Sequence, residues 1–168
     1  DGVFSKSKNL ISSNKVKPKY NDTLAIRGKL TQFPENANKK HIALFLGPNF
    51  HHVIYPLNSN GDLNFIAIMK HSLSLEEQGN HSLFSENSFI KRILEKVPQE
   101  IKEFVTGIKE LKIFPVFVSD KFLKIPNKNI HLIGDAFFAF PPSFAQGASQ
   151  SIESAYELFV SLLSLIHI

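Results

Sequence analysis

The 168-residue sequence contains no cysteine, which excludes a disulfide scaffold, a thiolate metal site and a cysteine nucleophile. No apolar run approaches the roughly 18 residues that a membrane-spanning helix needs, so we predict no integral membrane segment. None of the eight glycines is spaced as Gly-x-Gly, so the fingerprint that grips a dinucleotide pyrophosphate is absent. Hydrophobic residues make up 43% of the chain and charged residues 20%, which predicts a globular protein of about one domain. We expect it to be cytoplasmic.

Other function classes find little support in the sequence. The net charge is only +4, and although five lysines fall in residues 1–19, a solvated loop explains them better than nucleic-acid binding does. His51 and His52 would point to opposite faces of a strand, and no histidine pair has helical ligand spacing with a carboxylate, so we predict no metal site. No serine lies in a Gly-x-Ser-x-Gly context, so a hydrolase elbow is not indicated.

Both ends of the sequence have the character of truncations. The chain begins Asp1-Gly2-Val3 without a methionine or a signal-peptide pattern. It ends in residues 163–168, inside an apolar helical pattern without a cap, and this hexapeptide is also the translation of a transposon-end adaptor used in sequencing libraries. We therefore expect a truncated open reading frame with a non-native tail at residues 163–168.

The first half of the chain predicts a sheet. Short apolar runs rich in aromatic and β-branched residues are separated by turn signals at Gly47-Pro48 and at residues 58–61. We interpret residues 23–70 as an antiparallel meander, with strands at residues 23–28, 41–46, 50–57 and 63–69.

The second half predicts helices with two further strands. Apolar spacing predicts helices at residues 86–96 and 99–106, and Pro115 predicts an edge or bulged position for a strand at residues 111–118. The apolar run at residues 130–133 is typical of a buried parallel strand. A long helix is expected from Ala148 onward, with a buried face formed by Ile152, Ala155, Tyr156, Phe159, Leu162 and Leu163.

The strongest candidate site follows the predicted strand at residues 130–133. Gly134-Asp135 stands at its carboxyl end, where open α/β sheets bind ligands, and a carboxylate there can accept a hydrogen bond from a ribose hydroxyl. After a loop stiffened by Pro141-Pro142, Gly147 opens the next helix, whose N–H groups and dipole suit an electron-rich oxygen or a phosphate. The alternative is a plain strand–turn–helix in which Asp135 is only a local cap.

Four segments together resemble a known enzyme family. Gly134-Asp135-Ala136 with the later Ala145-Gln146-Gly147-Ala148 is similar to the Gly-Asp motif of FAD-dependent aromatic-ring monooxygenases, the para-hydroxybenzoate hydroxylase-like flavoproteins. Asp1-Gly2 with Ser5 resembles their Asp-Gly motif. Residues 25–28 and 47–57 resemble substrate-domain strands of the salicylate hydroxylase-like members, and all four segments occur in the family's order and separation.

The resemblance implies a set of FAD contacts. Asp135 would hydrogen-bond the ribityl or ribose part of FAD, and the backbone around Gly147 would face the pyrimidine side of the isoalloxazine. Asp1 and Gly2 would lie near the FAD pyrophosphate and the approach of NAD(P)H. The implied cofactor-binding residues are Asp1, Gly2, Gly134, Asp135, Pro142, Gln146, Gly147 and Ala148.

Some positions depart from the family pattern. Lys8 stands where the family usually has arginine, which would replace a bidentate phosphate contact by a point charge. Phe137-Phe138 replace a common Ala-His, and Ser149 stands where many members have asparagine. The phenylalanines of the proline-rich loop either line a hydrophobic substrate pocket or pack in a core; they are Phe137, Phe138, Phe140 and Phe144. The substrate-pocket candidates are His51, Tyr55, Phe138, Phe140 and Pro141; we assign no catalytic acid or base.

The resemblance implies an α+β fold in two parts. Residues 1–18 and 119–168 would belong to a partial FAD-binding α/β domain, interrupted by a substrate domain at residues 19–118 with a mostly antiparallel sheet and flanking helices. The parent enzyme would hydroxylate a small aromatic or quinone-precursor ring with NAD(P)H and O₂. Two alternatives remain: a flavoprotein reductase or halogenase on the same scaffold, and an inactive fragment that cannot hold FAD.

Overall fold

The computed structural model describes residues 1–11, 16–30, 41–57, 61–122 and 129–166, and it has an α+β fold, as predicted. Five strands form one sheet, and six α-helices and two short 3₁₀ helices (Leu83–Ser85 and Pro142–Phe144) complete the described elements. The strands are β1 (Lys19–Leu30), β2 (Ala43–Gly47), β3 (Phe50–Pro56), β4 (Leu63–Lys70) and β5 (Lys109–Val118). The helices are α1 (Lys8–Ile11), α2 (Leu75–Gly79), α3 (Asn87–Glu95), α4 (Gln99–Thr106), α5 (Gly134–Phe137) and α6 (Gly147–Ile166).

The chain divides into two compact units. Unit 1 comprises Asp1–Asn21 and Val116–Ile168, and unit 2 comprises Asp22–Pro115. Unit 2 holds most of the sheet together with α2, α3 and α4, whereas unit 1 holds α1, α5 and α6. Within the described ranges, no helix is both long enough and apolar enough to cross a bilayer.

The strand order of the sheet is β2-β3-β4-β1-β5. The predicted meander is correct for β2, β3 and β4, which pair antiparallel in sequence order, but wrong for β1, which pairs antiparallel with β4. Local alternation identifies a strand without choosing its neighbour, and here long-range packing places Ile26 opposite Ala67 in the centre of the sheet. β5 is an edge strand, as Pro115 predicts.

Alternation along the strands gives unit 2 its core. Leu24, Ile26, Ile54 and Phe65 belong to one face of the sheet and are almost completely buried. The helical residues Phe89 and Ile93 of α3 and Ile101 and Val105 of α4 are buried in the same unit, so both predicted helices present apolar faces to a core. The opposite sheet face carries Arg27, His51 and Tyr55, whose side chains are half-buried to exposed.

The predicted strand at residues 130–133 is not formed. These residues have no regular secondary structure, and Ile133 is 41% exposed. A strand needs a hydrogen-bonded neighbour, and the sheet of the described residues includes none for this segment. The apolar composition of residues 130–133 therefore did not predict their conformation correctly.

Helix α6 forms at the expected place, but its predicted buried face is wrong. Ile152 and Tyr156 are 71% and 63% exposed, and Phe159, Leu162 and Leu163 are exposed as well. The described contacts of α6 instead involve a different side of the helix, where Ser151 and Ser154 meet α5. Periodicity identifies an apolar face, but only the neighbouring elements decide whether that face is covered.

Candidate functional site

The Gly134-Asp135 segment begins the short helix α5, which is fastened to α6. The Gly134 N–H donates to the Ser154 hydroxyl at 3.1 Å, and that hydroxyl in turn donates to the Ser151 carbonyl at 3.0 Å. Gly134 has a φ of +55° and lies so close to α6 that an added Cβ would be 2.6 Å from Ser151 Oγ. The conformation of Gly134 therefore favours glycine, and its close approach to α6 leaves no room for a side chain.

The N-terminus of α6 is open. The first helical hydrogen bond of α6 runs from the Gln150 N–H to the Gln146 carbonyl. The N–H groups of Gly147, Ala148 and Ser149 come before it, so the helix itself offers them no carbonyl acceptor. A Cβ built at Gly147 meets nothing within 4 Å. The preceding turn is shaped by Ala145, which has a φ of +52°. With respect to the residues that the structure describes, three N–H donors at the positive end of a 20-residue helix dipole are thus available to an anion or an electron-rich oxygen.

A mostly apolar cavity of about 260 Å³ lies between α5, α6 and the segment after α5 that carries Phe138 and Phe140. Phe122 and Phe138 stack with their ring centroids 4.2 Å apart, and Phe138 also contacts Phe140 at 4.8 Å. These rings form its apolar wall, and hydroxyl, amide and carboxylate groups supply the polar part. The lining residues are Phe122, Gly134, Asp135, Phe137, Phe138, Phe140, Gly147, Gln150, Ser151 and Ser154.

The Asp-Gly segment is a compact hydrogen-bonded turn. The Asp1 carboxylate accepts hydrogen bonds from the Ser5 hydroxyl at 3.0 Å and from the Ser7 hydroxyl. Gly2 adopts a φ of +67°, and its carbonyl accepts a hydrogen bond from the Ser5 N–H at 3.0 Å. Asp1 therefore orders its own loop.

Lys8 links this segment to the Gly-Asp segment. Its side chain is buried, and Nζ donates to the Asp135 backbone carbonyl at 3.4 Å. Burial lowers the pKa of Lys8, and the nearby Asp135 carboxylate partly opposes that shift. The sequence analysis identified Lys8 only as a replacement for arginine. Its buried contact with Asp135, which is 127 positions away, could not be predicted from any local pattern.

The structure brings some of the predicted site residues together and not others. Gly134, Asp135, Gly147, Phe138 and Phe140 line one cavity in unit 1. Pro141, Pro142, Gln146 and Ala148 are exposed residues of the same unit and are not among its lining residues. His51 and Tyr55 belong to β3 in unit 2, where both are half-buried on the sheet face opposite the core.

His52, the neighbour of a candidate residue, has an unusual environment that the sequence did not reveal. Its ring is 3% exposed and stacks on Phe45 at 4.3 Å, with Phe50 and Phe65 within 6 Å. Neither ring nitrogen has a hydrogen-bond partner in the described parts of the chain. Burial, reinforced by the nearby His51, lowers the pKa of His52 to about 4, so its ring is neutral at neutral pH. Across residues 1–11, 16–30, 41–57, 61–122 and 129–166, no group of three acidic or histidine side chains could hold a metal.

Comparison with solved structures defines the class of fold. No protein-family model matches the chain, and no curated protein matches it. Klebsiella pneumoniae HpxO complexed with FAD and uric acid superimposes with a TM-score of 0.73 at 15% identity, over 91% of this chain and 39% of HpxO. A salicylate hydroxylase substrate complex superimposes with a TM-score of 0.68 at 21% identity, over 93% of this chain and 42% of the salicylate hydroxylase. For pqsL, a probable FAD-dependent monooxygenase from Pseudomonas aeruginosa, the TM-score is 0.53 at 22% identity, and the match covers 91% of this chain and 41% of pqsL.

These similarities confirm the fold that the sequence motifs imply. The chain has the fold of a part of FAD-dependent monooxygenases. It spans about two fifths of the length of the solved structures that it matches.

Proposed function

We propose that this chain is part of an FAD-dependent monooxygenase and that unit 1 contributes part of the FAD site. The observation that carries the proposal is the junction of α5 with the N-terminus of α6. There, Gly134-Asp135 and Gly147 line one cavity, within a fold shared with structures that contain FAD.

The residues at this junction fit a flavin nucleotide. The Asp135 carboxylate is exposed and accepts no hydrogen bond from the described residues, so it is available to a ribityl or ribose hydroxyl. The N–H groups of Gly147 and Ala148, which have no acceptor among the described residues, can donate to the pyrimidine oxygens, and the helix dipole favours negative charge there. When bound, FAD supplies the redox chemistry, and the protein supplies orientation and electrostatics.

The proposed activity of the parent enzyme is hydroxylation of a small aromatic or quinone-precursor ring. One atom of O₂ enters the ring and the other leaves as water, and NAD(P)H supplies the two electrons. His51, Tyr55, Phe138, Phe140 and Pro141 are the proposed substrate contacts, and no catalytic acid or base is assigned. A reductase or halogenase on the same scaffold is the second candidate, since a fold alone does not select a reaction.

The FAD contact can be tested on the 168-residue chain. We expect protein purified without added flavin to be colourless, because the sequence has no Gly-x-Gly pyrophosphate fingerprint. Added FAD should bind weakly and reversibly, as followed by flavin fluorescence. Asp135→Ala should weaken binding by about 10- to 100-fold, because one hydrogen bond to a charged group contributes about 1.5–3 kcal/mol.

The matched control is Asp120→Ala, which removes another exposed carboxylate of unit 1. It should leave FAD binding unchanged. Riboflavin should compete with FAD and ADP should not, because the proposed contacts are to the ribityl and isoalloxazine parts. Equal FAD affinity of Asp135→Ala and the unaltered chain, or competition by ADP alone, would contradict the proposal.

The reaction class needs a different readout. We propose that the chain alone does not turn over, and that a longer protein containing it incorporates ¹⁸O from ¹⁸O₂ into a phenol with NAD(P)H. Mass spectrometry of the product separates the candidates. Label in a new ring hydroxyl identifies a hydroxylase, whereas a reduced or halogenated product without label identifies the alternative.

A further inference from the structure

His52 lies where the last strand of the sheet order, β2, joins the rest of the sheet. β3 pairs with β2 on one side and with β4 on the other, and the register places His52 opposite Phe45 of β2 and Ala67 of β4. The His52 ring is 3% exposed and stacks on the Phe45 ring with an interplanar angle of 4°. Phe50 and Phe65 complete its aromatic surroundings. The Phe45 ring is therefore the part of β2 that covers His52.

A protonated His52 does not fit these surroundings. Both ring nitrogens are shielded from solvent and have no hydrogen-bond partner among the described residues. An imidazolium ring carries two N–H donors and a charge. Leaving both donors without acceptors in an apolar environment costs more than a phenylalanine face returns as cation–π attraction. Water must therefore reach the ring before it can hold a proton.

Within the described strands β2, β3 and β4, no carboxylate is present to compensate a positive charge on His52. β2 has no titratable residue, and β4 has only Lys70, which is exposed. On β3, His51 and Tyr55 belong to the opposite face of the sheet. Burial, and then the positive charge that His51 can carry, lower the pKa of His52 to about 4. A proton on this ring thus opposes the closed arrangement.

β2 is the least firmly held of these three strands. It pairs with β3 alone in the described sheet, and four of its five residues are exposed. β3 and β4 have a strand on both sides and contribute Ile54 and Phe65 to the core. An element with few buried contacts opens at a lower free energy than the whole domain. Separation of β2 would remove the Phe45 ring and admit water to His52.

We propose that His52 is a pH-dependent switch that releases β2 from the sheet when its ring is protonated. At neutral pH the neutral ring stays buried against Phe45, and β2 remains paired with β3. In mildly acidic solution the proton favours every state in which His52 meets water. Separation of β2 is the smallest of these openings, so it becomes populated before unit 2 unfolds as a whole. The switch lies in unit 2 and does not depend on the proposed FAD contact in unit 1.

Hydrogen exchange of the full chain tests the switch, with amide protection corrected for the intrinsic pH dependence of exchange. From about pH 7.5 to about pH 5, protection of residues 43–47 should fall by about 30-fold. This factor follows from a pKa of about 4 in the closed form and 6.5 in the open form. In acid, exchange of β2 should be insensitive to low urea concentrations, because separation of one short strand exposes little surface. Exchange of β4 should be slower and should accelerate with urea.

A disulfide between β2 and β3 supplies the matched control. Leu44 and Val53 lie directly opposite each other, and paired residues of antiparallel strands are close enough to be bridged. Because the sequence contains no cysteine, the double variant Leu44→Cys, Val53→Cys can form only this disulfide within one chain. In the oxidised protein β2 cannot separate alone, so its amides in acid should exchange as slowly as those of β4. Reduction should restore the faster exchange.

The variant His52→Leu removes the titratable group, and the fast exchange of β2 in acid should disappear with it. Equal acid-induced exchange in His52→Leu and in the unaltered chain would overturn the proposal. So would equal exchange of β2 in the oxidised and reduced double variant, or exchange of β2 and β4 at one rate with the same urea dependence. The oxidised and reduced forms are the same chain, so their comparison decides even where His52→Leu does not fold.

Discussion

Gly134→Ala should destabilise unit 1 by about 2–3 kcal/mol. Holding an L-residue in the left-handed region at φ +55° costs about 1–2 kcal/mol. The new Cβ would also lie 2.6 Å from Ser151 Oγ. Rotating that hydroxyl away breaks its 2.7 Å bond to the Gly147 carbonyl, worth about 1 kcal/mol, and still leaves Ser151 Cβ at 3.1 Å. Hydrogen exchange of the α6 amides, together with urea unfolding followed by circular dichroism, measures the loss.

Two further variants separate conformational strain from the clash. Gly2→Ala introduces a side chain at a similar φ of +67° with no atom within 4 Å, so it should cost only the conformational part. Combining Gly134→Ala with Ser151→Ala should recover part of the loss, because the second change removes the overlapping hydroxyl. If Gly134→Ala is no more harmful than Gly2→Ala, the proposed close approach of α5 to α6 is wrong.

Acidification should destabilise unit 2 through His52. Its pKa is lowered to about 4 in the folded chain, against about 6.5 in an unfolded one, so between these values the unfolded state binds more protons. Stability is therefore full above pH 6.5 and falls as the pH drops toward 4, by about 2–3 kcal/mol from this group. An NMR titration of the His52 ring reports the pKa directly, and unfolding at a series of pH values reports the loss.

The variant His52→Leu should flatten this dependence. At pH 7 its stability should be within about 1 kcal/mol of the unaltered chain, since removing two unpaired nitrogens offsets the lost stacking on Phe45. At pH 4 it should be the more stable of the two. His71, whose pKa burial also lowers, leaves a residual slope in both proteins. The control His41→Gln alters an exposed histidine, and if it flattens the curve as much as His52→Leu does, the assignment to His52 fails.

The sequence predicts the elements of this fold better than their neighbours. Alternating apolar residues locate the strands, and Pro98 and Gly107 delimit α4. That β1 pairs with β4 depends on contacts between residues about 40 positions apart, which no local pattern encodes. The predictions of a buried face on α6 and of a strand at residues 130–133 are wrong for the same reason. Burial and strand pairing depend on a neighbouring element as well as on the segment itself.

The candidate sites follow the same division. Asp135 and Gly147 could be singled out because a motif fixes their spacing, and the structure places both at one cavity. The contact of Lys8 with the Asp135 carbonyl could not be, because it joins residues that are 127 positions apart. The environment of His52 was equally hidden, since its aromatic neighbours come from β2, β3 and β4.

The outer position of β2 bears on how this chain behaves in concentrated solution. β2 is at the end of the sheet order, so among the described residues no strand lies beside one side of its backbone. Its five residues, Ala43–Gly47, include no charge and no proline, and Leu44 and Leu46 are 56% and 77% exposed. An uncharged, apolar free edge is a template for strand pairing between molecules. We therefore expect self-association through this edge to increase with protein concentration.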